Sequence, residues 1–492
     1  MVLLGYAYER NRLIYYQCTT QPHIFKQHPR ASRIAKLEAC QKRVVISTAR
    51  FHEHMNAKIH LSYPQEIPMT TQTSSIDLSR RVSELKPSIT VALNNRAKAM
   101  KASGVDVLGF AAGEPDFDTP QPIKDAAIKA MLAGETKYTP TLGDMKTRQC
   151  IADKLTNENN IPGLTGEHVA IGAGGKHVLY NAMQCLFDPP AFGEDPWEMI
   201  LPTPAWVSYR PICELAGGVV REVVAGPDTD FRISPAQLQD AITPRSRLLI
   251  LNSPSNPCGT MYSEQDLRDL AKVIREGIER APQLVVLTDE IYEKIIYGEH
   301  QHFSIGSIPE IAERVITING MSKAYAMTGW RIGYAAMPGD FGKELIKGMG
   351  KLQGQMTTNI TSFNYAAIRE ALTNPAVAEE VESMRQAFAK RAGLIMSRLS
   401  EIPGVSCPTP TGAFYVFPDV SGLFGKTSAK GTKITSATTL CEAMLDEAHI
   451  AFVPGEDFGG IAGNHLRISF ACSEEQINAG IDRFKGFVEG LS

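Results

Sequence analysis

The sequence predicts an α/β fold, with a large domain built on a mostly parallel sheet flanked by helices and a smaller α+β domain towards the C-terminus. Three observations carry this expectation. From Leu78 onward, short apolar runs bounded by turn residues alternate with stretches of helical period, the rhythm of β-α-β units. After Thr361 that rhythm gives way to one long amphipathic pattern. The 492-residue length suits one large and one small domain.

The first 68 residues stand apart. They hold 10 Lys or Arg, 4 acids and 5 of the 11 histidines, about +6, which leaves about −9 for the remaining 424. Tyr, His and Arg are scattered through the segment with weak periodicity and no secretory apolar core. It reads as an N-terminal extension, disordered or an over-long start, with organised sequence from Met69; its basic bias leaves an organelle transit peptide as the alternative. His52-x-His54 reads as solvated, because no acid or thiol has ligand-like spacing to it, and no metal is expected.

Along the main body, Val169 to Ala173, Met199 to Leu201, Arg247 to Asn252, Leu284 to Thr288 and Val315 to Asn319 read as short buried strands. A helical run follows from His177 to Phe187. Val377, Val381, Met384, Phe388, Ala392, Ile395 and Leu399 recur every three or four residues, the stripe of one long amphipathic helix. Gly425 to Lys433, rich in Ser, Thr, Lys and Gly, reads as a surface loop.

Composition removes several function classes. Fifty Lys and Arg against 53 Asp and Glu give a formal charge of −3, so no global field draws the chain to nucleic acid or an anionic membrane. No apolar stretch approaches the roughly 18 residues that span a bilayer. The nine cysteines are far apart, with no C-x-x-C pair, so a reduced cytoplasmic chain is expected. Small molecules are the expected partners.

In open α/β sheets ligands sit beyond the carboxyl ends of the strands, so the residues after each apolar run are the candidates for chemistry. The first run leads into Gly174-Gly175-Lys176 and a helix, where bare N-H groups and two glycines suit an anion. Another ends in Asn252-Ser253-Pro254-Ser255-Asn256-Pro257-Cys258-Gly259, the next in Thr288-Asp289-Glu290-Ile291-Tyr292. A further one opens into Gly320-Met321-Ser322-Lys323-Ala324-Tyr325-Ala326-Met327-Thr328-Gly329-Trp330-Arg331. Singly, each is an ordinary turn or cap segment. Together they supply an amine, a carboxylate, a phenol and an amide beside a phosphate-type site, which is what pyridoxal 5'-phosphate requires.

These segments, with Gly113-Glu114-Pro115-Asp116-Phe117, resemble the fold-type-I class I aminotransferases, most closely the bacterial-type aspartate aminotransferases, in collinear order over 69 to 492. The resemblance implies an N-terminal arm and part of the small domain over 69–119, a large cofactor-binding domain over 120–365, and a linker helix with the small domain over 366–492. It makes Lys323 the Schiff-base lysine and proton shuttle and Asp289 the partner of the pyridine nitrogen. Tyr292 and Asn256 would hold the ring oxygen, and Trp206 would stack on the ring. Gly174, Gly175 and Lys176 would cradle the phosphate, with Arg331 as its charged clamp. Tyr138 would reach the phosphate of a neighbouring subunit in a homodimer.

For the substrate, the resemblance implies Arg467 as the α-carboxylate site, helped by the Gly113 backbone N-H and by Asn256; a guanidinium grips a carboxylate through two parallel bonds. Thr90 and Lys176 would take the second carboxylate of a dicarboxylic amino acid. Relatives that accept prephenate share that pair, so it does not separate the two substrates. The implied activity is ping-pong transfer between L-aspartate and 2-oxoglutarate, giving oxaloacetate and L-glutamate. A prephenate, arogenate or aromatic aminotransferase is the alternative, and a cofactor-dependent β-lyase a further rival. A ligand-binding regulator would add a helix-turn-helix domain, for which residues 1 to 68 lack the pattern. Two departures stand out: Cys258 replaces the usual Thr of the Asn-Pro-Thr-Gly turn, and Gly320 replaces a frequent phosphate-binding Ser.

Overall fold

The computed structural model describes residues 3–9, 12–18, 76–85, 89–191 and 193–492. The chain forms two compact units, Met1–Ile76 and Asp77–Ser492. In the first, β1 (Leu3–Glu9) and β2 (Arg12–Cys18) pair antiparallel, with Glu9 in register with Arg12. The remainder of the 1–68 extension, His52 and His54 included, lies outside the described residues.

In the second unit, β3 (Leu108–Gly109) precedes the strands of the central sheet. These are β4 (Val169–Gly172), β5 (Glu198–Thr203), β6 (Val219–Val224), β7 (Ser246–Asn252), β8 (Val285–Asp289), β9 (Val315–Gly320) and β10 (Gly333–Ala336), in the order β4-β10-β9-β8-β7-β5-β6. β10 runs antiparallel to both neighbours, and every other pairing is parallel. The five apolar runs read from the sequence are β4, β5, β7, β8 and β9, with ends shifted by at most two residues.

Two strands escape a search for apolar runs, for different reasons. β6 reads Val-Val-Arg-Glu-Val-Val and lies at the sheet edge, where charged side chains reach solvent and blunt the edge. β10 is only Gly-Tyr-Ala-Ala, too short and small to stand out. The interior strands alternate between two cores. Leu248 and Ile250 of β7 pack on one face with Leu179 and Met183 of the helix Gly175–Leu186. Leu249 and Leu251 pack on the other with Leu270 and Ile274 of the helix Glu264–Arg280.

The predicted long helix is Pro375–Leu399, started by Asn374, whose side chain accepts from the Ala376 N-H at 2.9 Å. It buries Val377, Val381, Met384, Phe388, Ala392, Ile395 and Leu399, the stripe read from the sequence. Arg391 is buried on the same helix and grips Asp116 through two hydrogen bonds of 2.7 and 3.0 Å. Phe388 and Ile395 belong to a core shared with Leu93, Phe110, Phe414, Met444, Phe452 and Phe484. Around that core, β11 (Tyr415–Val416), β14 (Leu466–Ser469) and β13 (Val453–Pro454) form a small antiparallel sheet. β12 (Ile450–Ala451) pairs parallel with β3. The segment 425–433 is a loop closed by a bridge between Thr427 and Lys433. Among the described residues, no helix is long and apolar enough to cross a membrane.

Candidate active site

Because β4, β5, β7, β8 and β9 point the same way, their carboxyl ends deliver Gly174-Gly175, Trp206, Asn256, Asp289-Tyr292 and Lys323 to one edge of the sheet. There all of these but Gly174 line a cavity of about 420 Å³, together with Gly113, Arg331, Tyr415 and Arg467. That volume suits a small organic ligand.

Four cations face this cavity: Lys176, Lys323, Arg331 and Arg467. Their partners among the described residues are all neutral. Lys323 Nζ donates to the Gly113 carbonyl, and Arg331 Nη1 donates to the Thr328 carbonyl at 2.9 Å. Lys176 Nζ lies over the Trp206 ring, 4.9 Å from its centre. Arg467 donates to Asn256 Oδ1 at 3.1 Å and to the Ala111 carbonyl at 3.0 Å, and its buried Nε has no partner. Against the four stand two carboxylates on the cavity wall, Asp289 and Glu114. The surplus suits an anionic occupant.

One end joins the Gly-Gly turn to Lys176 and Arg331, a setting that suits an anion. Gly174 has φ +92°, a left-handed conformation, and a Cβ there would lie 2.4 Å from Arg331 Nη2. The Gly-Gly turn therefore lets the guanidinium approach the first turn of Gly175–Leu186, where Lys176 also stands. Gly320 has no room for a side chain, since a Cβ there would lie 2.7 Å from the Ile332 carbonyl oxygen. At Cys258 the turn is kept: the Gly259 N-H donates to the Ser255 carbonyl at 3.0 Å, and the thiol is buried.

At the other end, Asp289 is buried and accepts a 2.8 Å hydrogen bond from Tyr209 Oη and a 3.3 Å bond from the Ile291 N-H. Asn252 ties two strand tips together, accepting from the Asn256 N-H and donating to the Asp289 carbonyl, both at 2.9 Å. Below, Glu290 accepts from Ser304 at 2.7 Å and pairs with His302 at 3.0 Å, while Glu293 is held by Lys154 and Asn159. This buried network pins the segment that presents Asp289 and Tyr292. Tyr292 Oη lies 2.9 Å from Tyr415 Oη.

Burial pushes Asp289 up to about 6, against the opposing pull of the Tyr209 and Ile291 bonds. Burial and the nearby Arg467 push Lys323 down to about 8, partly offset by Glu114 and Asp289. Lys176 is lowered by burial and by Arg331. A buried acid and a half-buried amine, each shifted towards its neutral form in one cleft, suit a reactive site.

Of the expected residues, Gly113, Gly175, Lys176, Trp206, Asn256, Asp289, Tyr292, Lys323, Arg331 and Arg467 share the cavity wall, and Gly174 backs it. Tyr138 does not line it and is 88% exposed. Thr90 sits in the first turn of the helix Ile89–Ala102, and its side chain lies outside the described residues. Sequence reasoning missed Tyr209, Tyr415 and Asn94. Tyr209 follows Trp206 by three residues, a helical spacing that could have flagged it. Tyr415 and Asn94 reach the cavity from β11 and from Ile89–Ala102, elements beyond the large sheet.

A family model described as aminotransferase class I and II matches residues 105–484. The chain is 43% identical over 416 residues to an aspartate/prephenate aminotransferase of Cereibacter sphaeroides, covering 84% of this chain and 99% of the relative. It is 42% identical over 414 residues to an aspartate aminotransferase of Bacillus subtilis, again covering 84% and 99%. Among solved structures, the aspartate aminotransferase of Rhizobium meliloti superposes with a TM-score of 0.79 at 37% identity, covering 85% of this chain and all of that one.

Proposed function

The chain belongs to the class I and II aminotransferase family, and from that premise we propose that it moves the amino group between L-aspartate and 2-oxoglutarate, giving oxaloacetate and L-glutamate, with pyridoxal 5'-phosphate as cofactor. The observation that carries the reading is the cavity whose wall brings together four cations, none paired with a carboxylate among the described residues, and the buried Asp289. A phosphate, a substrate α-carboxylate and a distal carboxylate would satisfy those cations. The Cereibacter relative's name keeps prephenate as a second substrate reading.

The residues fit the cofactor group by group. The Gly174-Gly175 turn, Lys176 and Arg331 would hold the phosphate, Trp206 would cover the ring, and Asn256 and Tyr292 would hold its oxygen. When bound, pyridoxal phosphate supplies an electron sink for the pair left on the substrate α-carbon as its proton leaves. Asp289 holds a proton at the ring nitrogen, and Tyr209 holds Asp289 in place for it. Arg467 grips the α-carboxylate and so points the α-hydrogen at Lys323. Lys323 Nζ, with its affinity for protons lowered to about 8, is available as a neutral base near that pH to take the α-proton.

We further assign 69–119 to an N-terminal arm and part of the small domain, 120–365 to the large domain and 366–492 to a linker helix and the small domain; the shared core of Leu93, Phe110, Phe388 and Phe484 supports the pairing of the outer segments. The exposed Tyr138 fits a homodimer in which it serves the neighbour's phosphate. The isolated thiols suit a reducing cytoplasm.

The test is a half-reaction. Cofactor-loaded protein is mixed with L-aspartate alone, then separately with glutamate, phenylalanine and arogenate, while the cofactor's visible absorbance is followed. Rapid loss with aspartate, restored by 2-oxoglutarate, is expected. Loss only with arogenate or an aromatic amino acid would replace the substrate, and ammonia release without any oxo-acid acceptor would identify a lyase instead.

A further inference from the structure

We propose that Tyr415 is a positioning residue that couples the carboxylate site at Arg467 to the ring-oxygen donor Tyr292, an inference that rests on the cofactor reading above. Tyr415 comes from β11, which pairs with β14, the strand that carries Arg467; Tyr415 is in register with Ser469 and Val416 with Ile468. Its side chain is 1% exposed. The guanidinium carbon of Arg467 lies 4.9 Å from the centre of its ring, and its Oη lies 2.9 Å from Tyr292 Oη. A Cβ added to Gly113 would come within 3.0 Å of the same oxygen. The phenol thus fills the space between the substrate-binding turn, the carboxylate-binding arginine and Tyr292.

Direction follows from counting protons. Each phenol has one O-H, and Tyr292 spends its own on the ring oxygen in the proposed reading, so Tyr292 accepts from Tyr415. Two hydrogen bonds in series polarise each other in a dry site, so Tyr415 strengthens the bond that Tyr292 makes. Tyr292 and Tyr415 are both buried, with Arg467 facing each of them and Asp289 facing Tyr292. Lys323 Nζ stands 5.9 Å from the centre of the Tyr292 ring, with Glu114 and Arg331 in its field. A carboxylate that neutralises Arg467 is felt first by the ring stacked on it, and through that ring's hydroxyl by Tyr292.

Removing the Tyr415 hydroxyl weakens the donation to the ring oxygen, which leaves that oxygen more basic and retains the neighbouring proton to higher pH. The experiment uses the cofactor-loaded full-length protein and the variants Tyr415→Phe, Tyr292→Phe and the double variant. The readout is the pH midpoint of the bound cofactor's visible absorbance, with and without maleate, an unreactive dicarboxylate. Tyr415→Phe keeps the ring over Arg467. It should raise the midpoint by about half a pH unit and reduce the maleate-induced shift by roughly half. In the Tyr292→Phe background it should add nothing. An unchanged midpoint and maleate shift in Tyr415→Phe, or an equal effect with Tyr292 already replaced, would overturn the coupling while leaving the cofactor assignment intact. Absence of any bound-cofactor absorbance in the unmodified protein would instead overturn the cofactor reading, and the coupling with it.

Discussion

Tyr209 Oη donates a 2.8 Å hydrogen bond to Asp289 Oδ2, and both side chains are buried. The pair joins the helix after β5 to the tip of β8, so the carboxylate that faces the cavity is oriented by a residue from another strand connection. Burial alone would push Asp289 well into the neutral form; the phenol opposes it. Tyr209→Phe should therefore raise the Asp289 pKa further. Turnover should fall about tenfold and the acidic limb of its pH profile should move up by about one unit, since a bond to a charged group is worth more than a neutral one. A pH-rate profile with an unmoved acidic limb would remove Tyr209 from this role.

Arg467 is held in place by one amide oxygen and one backbone carbonyl, with its Nε unsatisfied among the described residues. Arg467→Ala should raise the inhibition constant of a dicarboxylate such as maleate by about 100-fold, in line with losing one partner of a buried charged pair. Arg467→Lys should recover only part of the loss, because a point charge cannot reproduce the planar fork. Inhibition titrations on the three proteins provide the comparison.

Gly174 permits the approach of Arg331, because a side chain at φ +92° would be both strained and in collision with the guanidinium. Gly174→Ala should weaken cofactor binding by about tenfold through displacement of Arg331. Equilibrium dialysis against pyridoxal phosphate measures this directly, and affinity equal to that of the parent would contradict the geometry.

Asp289 also makes the cofactor-free protein sensitive to pH. Its pKa is raised from 3.8 to about 6 by burial, so the folded state holds the proton more tightly than the unfolded chain. The resulting stabilisation is fully present below pH 3.8 and is lost as pH rises through about 6. Asp289→Asn, which stays neutral, should stabilise the cofactor-free protein by about 1–3 kcal/mol at about pH 7.5 and by much less at about pH 4. Urea unfolding at the two pH values checks the sign; an equal gain at both would mean that the charge is not the cause.

The strand tips were legible in the sequence because buried parallel strands must be apolar and their ends must turn, so Asn256, Asp289, Tyr292 and Lys323 announce themselves by position after a run. The long helix was legible for a related reason: a single buried stripe imposes its period on Val377 through Leu399. β6 was hidden by the charges an edge strand tolerates, and β10 by its four small or single-ring residues. These are properties of neighbours in space, which local periodicity does not encode.

What the sequence by itself determined is the order of the chemistry: an anion-binding turn, an amide, an acid with its phenol, and a lysine followed eight residues later by an arginine. Only the tertiary structure decided which groups share each charge. Tyr209 meets Asp289 80 positions away, Arg467 meets Asn256 211 away, and Tyr292 meets Tyr415 123 away. A hydrogen bond acts over about 3 Å and a buried charge is shifted by whatever lies within a few ångströms. The first pair needs two connections of the large sheet to lie side by side, and the other two need residues of the small antiparallel sheet, Arg467 on β14 and Tyr415 on β11, brought to the tips of the large one; no spacing along the chain records either meeting.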